Sequence, residues 1–153
     1  MSRRLPVEIR PVGPDDHDAW LPLWQGYQRF YMMSLEPAVS AATWQRFLDA
    51  SEGQHAALAW ADGQAVGLVH WLYHRNTWTL NPVCYLQDLF IARDLRSQGV
   101  GRQLIEHVEQ QARQVPCDEL YWLTHETNTN AIRLYARVAE RTGFVQFLKT
   151  LKS

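Results

Sequence analysis

The sequence predicts an α+β domain: a mixed, mostly antiparallel sheet with one splayed parallel strand pair, flanked by helices. Three observations carry this. His55 to Ala61 and Gln64 to Tyr73 both read as strands, and Asp62-Gly63 between them is a strong hairpin signal. A third strand-like run, Val83 to Ile91, follows the loop His74 to Pro82, so three consecutive strands are expected to pair antiparallel. After it come a glycine-bearing turn, a helical pattern and a fourth strand, Leu120 to Thr124. A strand–helix–strand connection makes its two strands parallel neighbours.

Taken in order, Val7 to Val12 reads as a short first strand stopped by Pro11, Gly13 and Pro14. Asp15 or Asp16 can cap the helix that follows. Trp20, Leu21, Trp24, Tyr27 and Tyr31 give that helix one apolar face despite Pro22. The stretch Phe30 to Pro37 breaks it, and Ser40 or Thr43 can start a second helix with Trp44, Phe47 and Leu48 on one side. The aromatic and methionine cluster here reads equally as helix–helix packing or as the wall of a pocket. Beyond Ile91, Ala92 to Leu95 forms a polar turn. Val100, Leu104, Val108 and Gln111, widened by Ile105 and Ala112, then make an apolar helix face. Cys117-Asp-Glu leads into the Leu120 strand. His125 to Asn130 is a polar loop, Ala131 to Arg141 has helical character, and Phe144 to Leu148 can form a last strand. The predicted order is β-α-α-β-β-β-α-β-α-β.

At 153 residues the chain is expected to be a single domain, 1–153, with one substantial core. A net charge of −1 leaves no basic footprint, so nucleic acid is not expected as a partner. The longest apolar runs are far shorter than a membrane span, so no membrane association is expected. The basic start Met1-Ser-Arg-Arg is followed by no apolar stretch of the kind a secretory signal has. Cys84 and Cys117 have no metal-like spacing. They read as two buried free thiols in a reducing cytosol, which places the chain in the cytoplasm with no metal site.

A strand, a glycine turn and a helix start suit a polyphosphate. The first N–H groups of a helix have no intrahelical partner, and the dipole places partial positive charge there. Gly99 and Gly101 let the backbone approach an anion, and Arg96 adds a positive fork. The run matches neither GxxxxGK[ST] nor GxGxxG. It reads Arg96-Ser97-Gln98-Gly99-Val100-Gly101, and this Arg-x-x-Gly-x-Gly after a strand resembles the acetyl-CoA signature of the GNAT superfamily of N-acetyltransferases. A second motif agrees in order: Asn128, then Ala131, Leu134 and Tyr135, then Gly143-Phe144. The strand Tyr85-Leu86-Gln87-Asp88-Leu89-Phe90-Ile91 resembles the diamine/polyamine and histone/polyamine acetyltransferase branch. Together these cover roughly residues 65 to 147. Two features depart from the pattern. Gln87 stands where that branch usually carries Glu and cannot act as a base. The spacer from Tyr135 to Gly143 is three or four residues longer than usual, which calls for a longer or irregular helix end.

The resemblance implies direct acetyl transfer from acetyl-CoA to an amine, a homodimer, and a division of labour. Arg96, Ser97, Gln98, Gly99, Val100, Gly101 and Arg102 would hold the pyrophosphate. The strand edge at Leu89, Phe90 and Ile91 would pair with the pantetheine amides like an added strand. A backbone N–H in the same segment would polarise the carbonyl. Asn128 would bond the CoA arm, or cap the last helix, or both; Asn130 can take either task. Tyr135 would protonate the leaving thiolate. An alkyl ammonium with pKa of about 10.4 must lose a proton before it attacks. Asp88, His125 and Glu126 are the candidates for that role, with His70 and His74 behind them. Asp88 in an apolar strand can equally be half of a structural salt bridge to an arginine. An alternative of a different class also stands: an acetyl-CoA-binding module without catalysis, favoured by the missing Glu at position 87.

Overall fold

The computed structural model describes residues 4–152, in two compact units that meet in sequence between Trp122 and Leu123. The first holds β1 (Glu8–Pro11), α1 (His17–Phe30), α2 (Pro37–Leu48), β2 (Gln54–Ala61), β3 (Gln64–His74), β4 (Val83–Ile91), α3 (Val100–Gln114) and β5 (Glu119–Tyr121). Its sheet runs β1-β2-β3-β4-β5. The first three pairings are antiparallel and β4–β5 is parallel, as expected. Asp62 and Gly63 both take left-handed φ, 50° and 76°, which the two-residue hairpin turn between β2 and β3 requires.

The two faces of the sheet bury different sets. On one, α1 and α2 bring Trp20, Leu23, Trp24 and Trp44 onto Leu58 and Leu68. The indoles of Trp20 and Trp44 stand 5.0 Å apart. On the other face α3 buries Val100, Leu104, Ile105 and Val108. A Cβ on Gly67 would stand 3.1 Å from Leu104, so β3 and α3 lie close together because this position lacks a side chain. Each buried aliphatic side chain contributes about 1.5–3 kcal/mol. The pairs Arg102–Glu106 and Arg113–Glu109 on the exposed side add only about 0.3–0.5 kcal/mol each, so burial holds the helix in place.

Several sequence expectations are corrected. α2 begins at Pro37, not at Ser40 or Thr43, because proline suits the first helical position. α1 ends at Phe30, where Met32 turns left-handed, and Tyr31 lies outside it. Asp16 occupies the N-cap of α1, but its carboxylate accepts from Gly13 N–H at 2.8 Å and makes no cap bond. β5 stops at Tyr121, short of Thr124. Cys84 is buried, whereas Cys117 is only half-buried. Among the described residues no helix is long and apolar enough to cross a membrane.

The second unit contains α4 (Thr129–Val138). Ala131, Ile132, Leu134, Tyr135 and Val138 are half-buried, and Arg133, Ala136 and Arg137 are exposed. The helix ends at Val138, earlier than the long spacer led us to expect. Residues 139–152 then adopt no regular structure, and the expected strand Phe144 to Leu148 is absent. Apolar residues crowd both parities of that stretch, and it has no partner strand among the described residues. Phe144, Val145, Phe147, Leu148 and Leu151 are 77–93% exposed.

Candidate active site

The site begins with a fault in the sheet. Strict alternation along β4 would put Cys84, Leu86, Asp88 and Phe90 on one face. Instead Trp71 pairs with Leu86 and His70 with Asp88, which leaves Gln87 as an extra residue at a β-bulge. Before the bulge, Cys84 and Leu86 stand opposite Tyr73 and Trp71, on the α3 side. After it, Asp88 and Phe90 stand opposite His70 and Leu68, on the side of α1 and α2. A bulge re-aims a side chain in this way and is common beside active sites. Here it turns Asp88 out of the α3 core and leaves Gln87 exposed.

Asp88 is 14% exposed and its partners are neutral. Trp20 Nε1–H, a donor only, donates to His70 Nε2 at 3.0 Å. His70 Nδ1 must therefore carry the ring proton, and it donates to Asp88 Oδ2 at 2.9 Å. The Tyr27 hydroxyl also faces Asp88. Burial, then the charge and nearness of the Asp88 carboxylate, push the Tyr27 phenol well above its ordinary value, so it stays a donor. Burial and the same charge raise Tyr85. The arginine salt bridge expected as one reading of Asp88 is replaced by this Trp20–His70–Asp88 chain. His70 is thereby removed as a free base, since both ring nitrogens are engaged in a buried position.

Asp88 opens into a cavity of about 280 Å³ whose wall includes Trp24, Phe47, Leu72, Gln87 and Arg46. The aromatic cluster therefore does both tasks proposed for it, since Trp24 packs on Trp20 and also lines the cavity. Met32, 92% exposed, does neither.

β5 pairs with β4 only at Val83, Cys84 and Tyr85. From Leu86 onward, including Leu89, Phe90 and Ile91, β4 has no neighbour on that side among the described residues. This free edge runs straight into the glycine turn. A short 3₁₀ turn, Arg93–Leu95, precedes it. Ser97 (φ 64°) and Gly99 (φ 80°) are both left-handed, and Gly99 is the N-cap of α3. The N–H groups of Ser97, Gln98, Gly99, Val100, Gly101 and Arg102 donate to no acceptor among the described residues. A run of free donors at a helix start, continuous with a free strand edge, fits a pyrophosphate carrying an amide-bearing arm. Arg96 is held differently from expectation: Nε donates to Ile91 O at 3.2 Å, and the guanidinium stacks over Phe30 and Phe90. No local pattern signals that Leu5 reaches this turn, yet Leu5 N–H donates to Gln98 O and Gln103 Nε2 donates to Leu5 O, each at 2.7 Å.

The remaining candidates separate. His74 Nδ1 faces Arg75 O at 2.9 Å and its Nε2 faces the Tyr121 hydroxyl at 2.7 Å, so it too is engaged. In the second unit His125 and Glu126 lie in an exposed turn, with the His125 ring bonded to Thr127. Asn128 sits at the N-cap position of α4 but makes no cap bond; its Nδ2 donates to Thr124 Oγ1 at 3.2 Å. Asn130 lies inside α4. Tyr135 follows Asn128 and Ala131 at helical spacing on α4 and is half-buried. No metal-competent cluster of His, Cys, Asp or Glu occurs among the described residues.

Comparison with known proteins bears on family and fold. A model of the Acetyltransferase (GNAT) family matches residues 20–139. The D-amino-acid N-acetyltransferase HPA3 of Saccharomyces cerevisiae is 35% identical over 143 residues, covering 92% of this chain and 89% of that protein. An aminoalkylphosphonate N-acetyltransferase of Salmonella typhimurium is 28% identical over 99 residues, 63% of each chain. Among solved structures, the aminoglycoside N-acetyltransferase AAC(6')-Iy in complex with CoA aligns over 98% of both chains with a TM-score of 0.82 at 23% identity, a likeness of fold.

Proposed function

The chain belongs to the GNAT family of acetyltransferases and is an N-acetyltransferase, and from that premise we propose that it moves an acetyl group from acetyl-CoA directly to a primary amine of a small molecule, polyamine-like or amino-acid-like, or of a peptide. Asp88 carries the reading. It is a nearly buried carboxylate with only neutral partners, opening into a small cavity, and so it lacks the cation that an acceptor ammonium would supply. The names of the relatives support an amine acceptor: one acts on D-amino acids, another on aminoalkylphosphonates.

Acetyl-CoA, when bound, supplies a thioester whose carbonyl carbon takes the amine nitrogen as the C–S bond breaks and a thiolate leaves. The residues of this chain do the rest. Asp88 holds the ammonium and takes its proton, so that the nitrogen lone pair is free to attack. The N–H groups of Ser97 to Arg102 hold the pyrophosphate, and Arg96 adds charge at the same turn. Leu89, Phe90 and Ile91 present the edge that aligns the pantetheine arm, and one of their N–H groups polarises the carbonyl. Asn128 bonds the same arm. Tyr135 gives its phenol proton to the thiolate and recovers one as the new amide nitrogen sheds its second proton, a task for which a phenol is an ordinary acid.

The 153 residues act as one catalytic domain, and the enzyme works as a cytoplasmic homodimer. The five exposed apolar side chains after Gly143 support an association between copies, since a monomer rarely leaves so many together in water. Deleting residues 143–153 should shift the sedimenting species from dimer to monomer; an unchanged mass would overturn that part. The transfer itself is tested by thiol release from acetyl-CoA with a panel of amines. Amine-dependent release supports it. A folded protein that binds CoA and releases no thiol with any amine would instead be a binding module.

A further inference from the structure

The cavity beside Asp88 contains a second charge. Arg46, in the last turn of α2, lines the same cavity of about 280 Å³. Its guanidinium makes no ion pair or hydrogen bond with any described residue. Other charged groups of the neighbourhood are already engaged: Asp49 accepts from Ser51, away from the cavity. His70, the remaining titratable group in the wall, is fixed as the neutral tautomer by Trp20. The charged wall residues are thus one carboxylate and one guanidinium, not paired with each other. Trp24, Phe47 and Leu72 add apolar surface.

We infer that Arg46 determines acceptor specificity by pairing with an anionic group of the substrate, so that the acceptor is a small amino acid or a similar zwitterion with its ammonium at Asp88 and its carboxylate at Arg46. This rests on the acetyl-transfer reading and narrows it. A diamine would satisfy Asp88 equally well but would bring its second ammonium towards Arg46, where like charges repel. An amine with an anionic group completes both ends of the cavity. The guanidinium fork suits a carboxylate in particular, since it can accept two parallel N–H bonds.

The experiment compares kcat/KM for D- and L-alanine and D- and L-methionine, their carboxamides, and 1,4-diaminobutane, in the full-length protein and in Arg46→Gln, Arg46→Lys and Arg46→Glu. A carboxamide keeps the amine and removes only the anion. The parent should favour acid over carboxamide by about 10- to 100-fold, the worth of a hydrogen bond to a charged group. Arg46→Gln should bring that ratio close to one, Arg46→Lys should restore part of it, and Arg46→Glu should favour the diamine. CoA affinity, measured in each variant, should stay within about twofold of the parent. Equal use of acid and carboxamide by the parent, with amines being acetylated, overturns the inference and leaves the transferase reading standing. A ratio that survives Arg46→Gln overturns it as well. A folded protein that releases no thiol with any of these amines overturns both.

Discussion

Asp88→Asn separates catalysis from structure because the amide is nearly isosteric with the carboxylate. Asn Oδ1 can still accept from His70 Nδ1–H, now 2.9 Å from the carboxylate, and the amide NH₂ can turn its donors to the Tyr27 oxygen. What is lost is the charge. A hydrogen bond to a charged group contributes about 1.5–3 kcal/mol and a neutral one about 0.5–1.5 kcal/mol, so the folded state should lose about 1 kcal/mol. In a chain of this length that lowers Tm by about 2–4 °C. The amine loses its counter-charge in a site where Asp88 is only 14% exposed, and its KM should rise about 10- to 100-fold. The pH profile should change shape as well. With pKa about 10.4, only about one amine in a thousand is neutral near pH 7.4, so the variant should gain about tenfold in kcat/KM per pH unit up to the amine's pKa. The parent should rise less steeply. Steady-state kinetics across pH, calorimetric CoA titration and thermal melts give the three readouts. Asp88→Ala is the structural control: it strands the buried His70 Nδ1–H, at about 1–3 kcal/mol, and should melt below the Asn variant. An unchanged amine KM in Asp88→Asn, or a loss of CoA affinity as large as the loss for the amine, would refute a role in acceptor binding.

Three further outcomes are expected. Gly101→Val should fold, because Gly101 lies in the first turn of α3 and is not among the left-handed glycines, and should weaken CoA binding about tenfold or more by keeping the pyrophosphate off the backbone; unchanged affinity by calorimetry would place CoA elsewhere. Gly99→Val is the poorer test, since φ of 80° adds backbone strain of its own. Tyr135→Phe should lose about 10²–10⁴ in kcat with little change in CoA affinity; turnover within a few-fold of the parent would remove the phenol from the mechanism. Burial holds His55 and His107 below the ordinary imidazole value, so the folded state binds fewer protons than the unfolded one. Their contribution is present above the unfolded pKa of about 6.5 and is lost as pH falls below it. His107→Leu, which also removes the buried Nε2 that lacks a partner, should therefore make the fall in Tm between about pH 6.5 and 5 shallower, and an unaltered slope would count against this account.

The alternation of β2 and β3, the Asp62-Gly63 turn and the amphipathic pattern of α3 are properties of neighbouring residues, and each was legible for that reason. So was the glycine turn, because Arg96, Gly99 and Gly101 stand at fixed spacing after a strand, and an N-cap at a strand–helix junction is a local event. Where the chain lacked a distinctive local pattern the reading failed: Phe144 to Leu148 is apolar enough for a strand, but a strand needs a partner, and residues 139–152 have none among the described residues. Likewise Pro37 reads as the end of a helix-breaking stretch, whereas it starts α2, a position where proline's missing N–H costs nothing.

The character of Asp88 was beyond the sequence altogether. Its neighbours in the chain are apolar, and strict alternation would have turned it, with Leu86, towards α3. One unpaired residue, Gln87, reverses that parity, and a tryptophan fifty positions before the histidine that holds it sets that histidine's tautomer. Register and hydrogen-bond direction are relations between distant segments, so they exist only once the sheet and α1 have come together. Local pattern specifies a strand with an acidic residue in it and a glycine turn that opens a helix. Packing of distant segments sets which way that acid points, that a neutral imidazole holds it, and that an arginine from another helix shares its cavity.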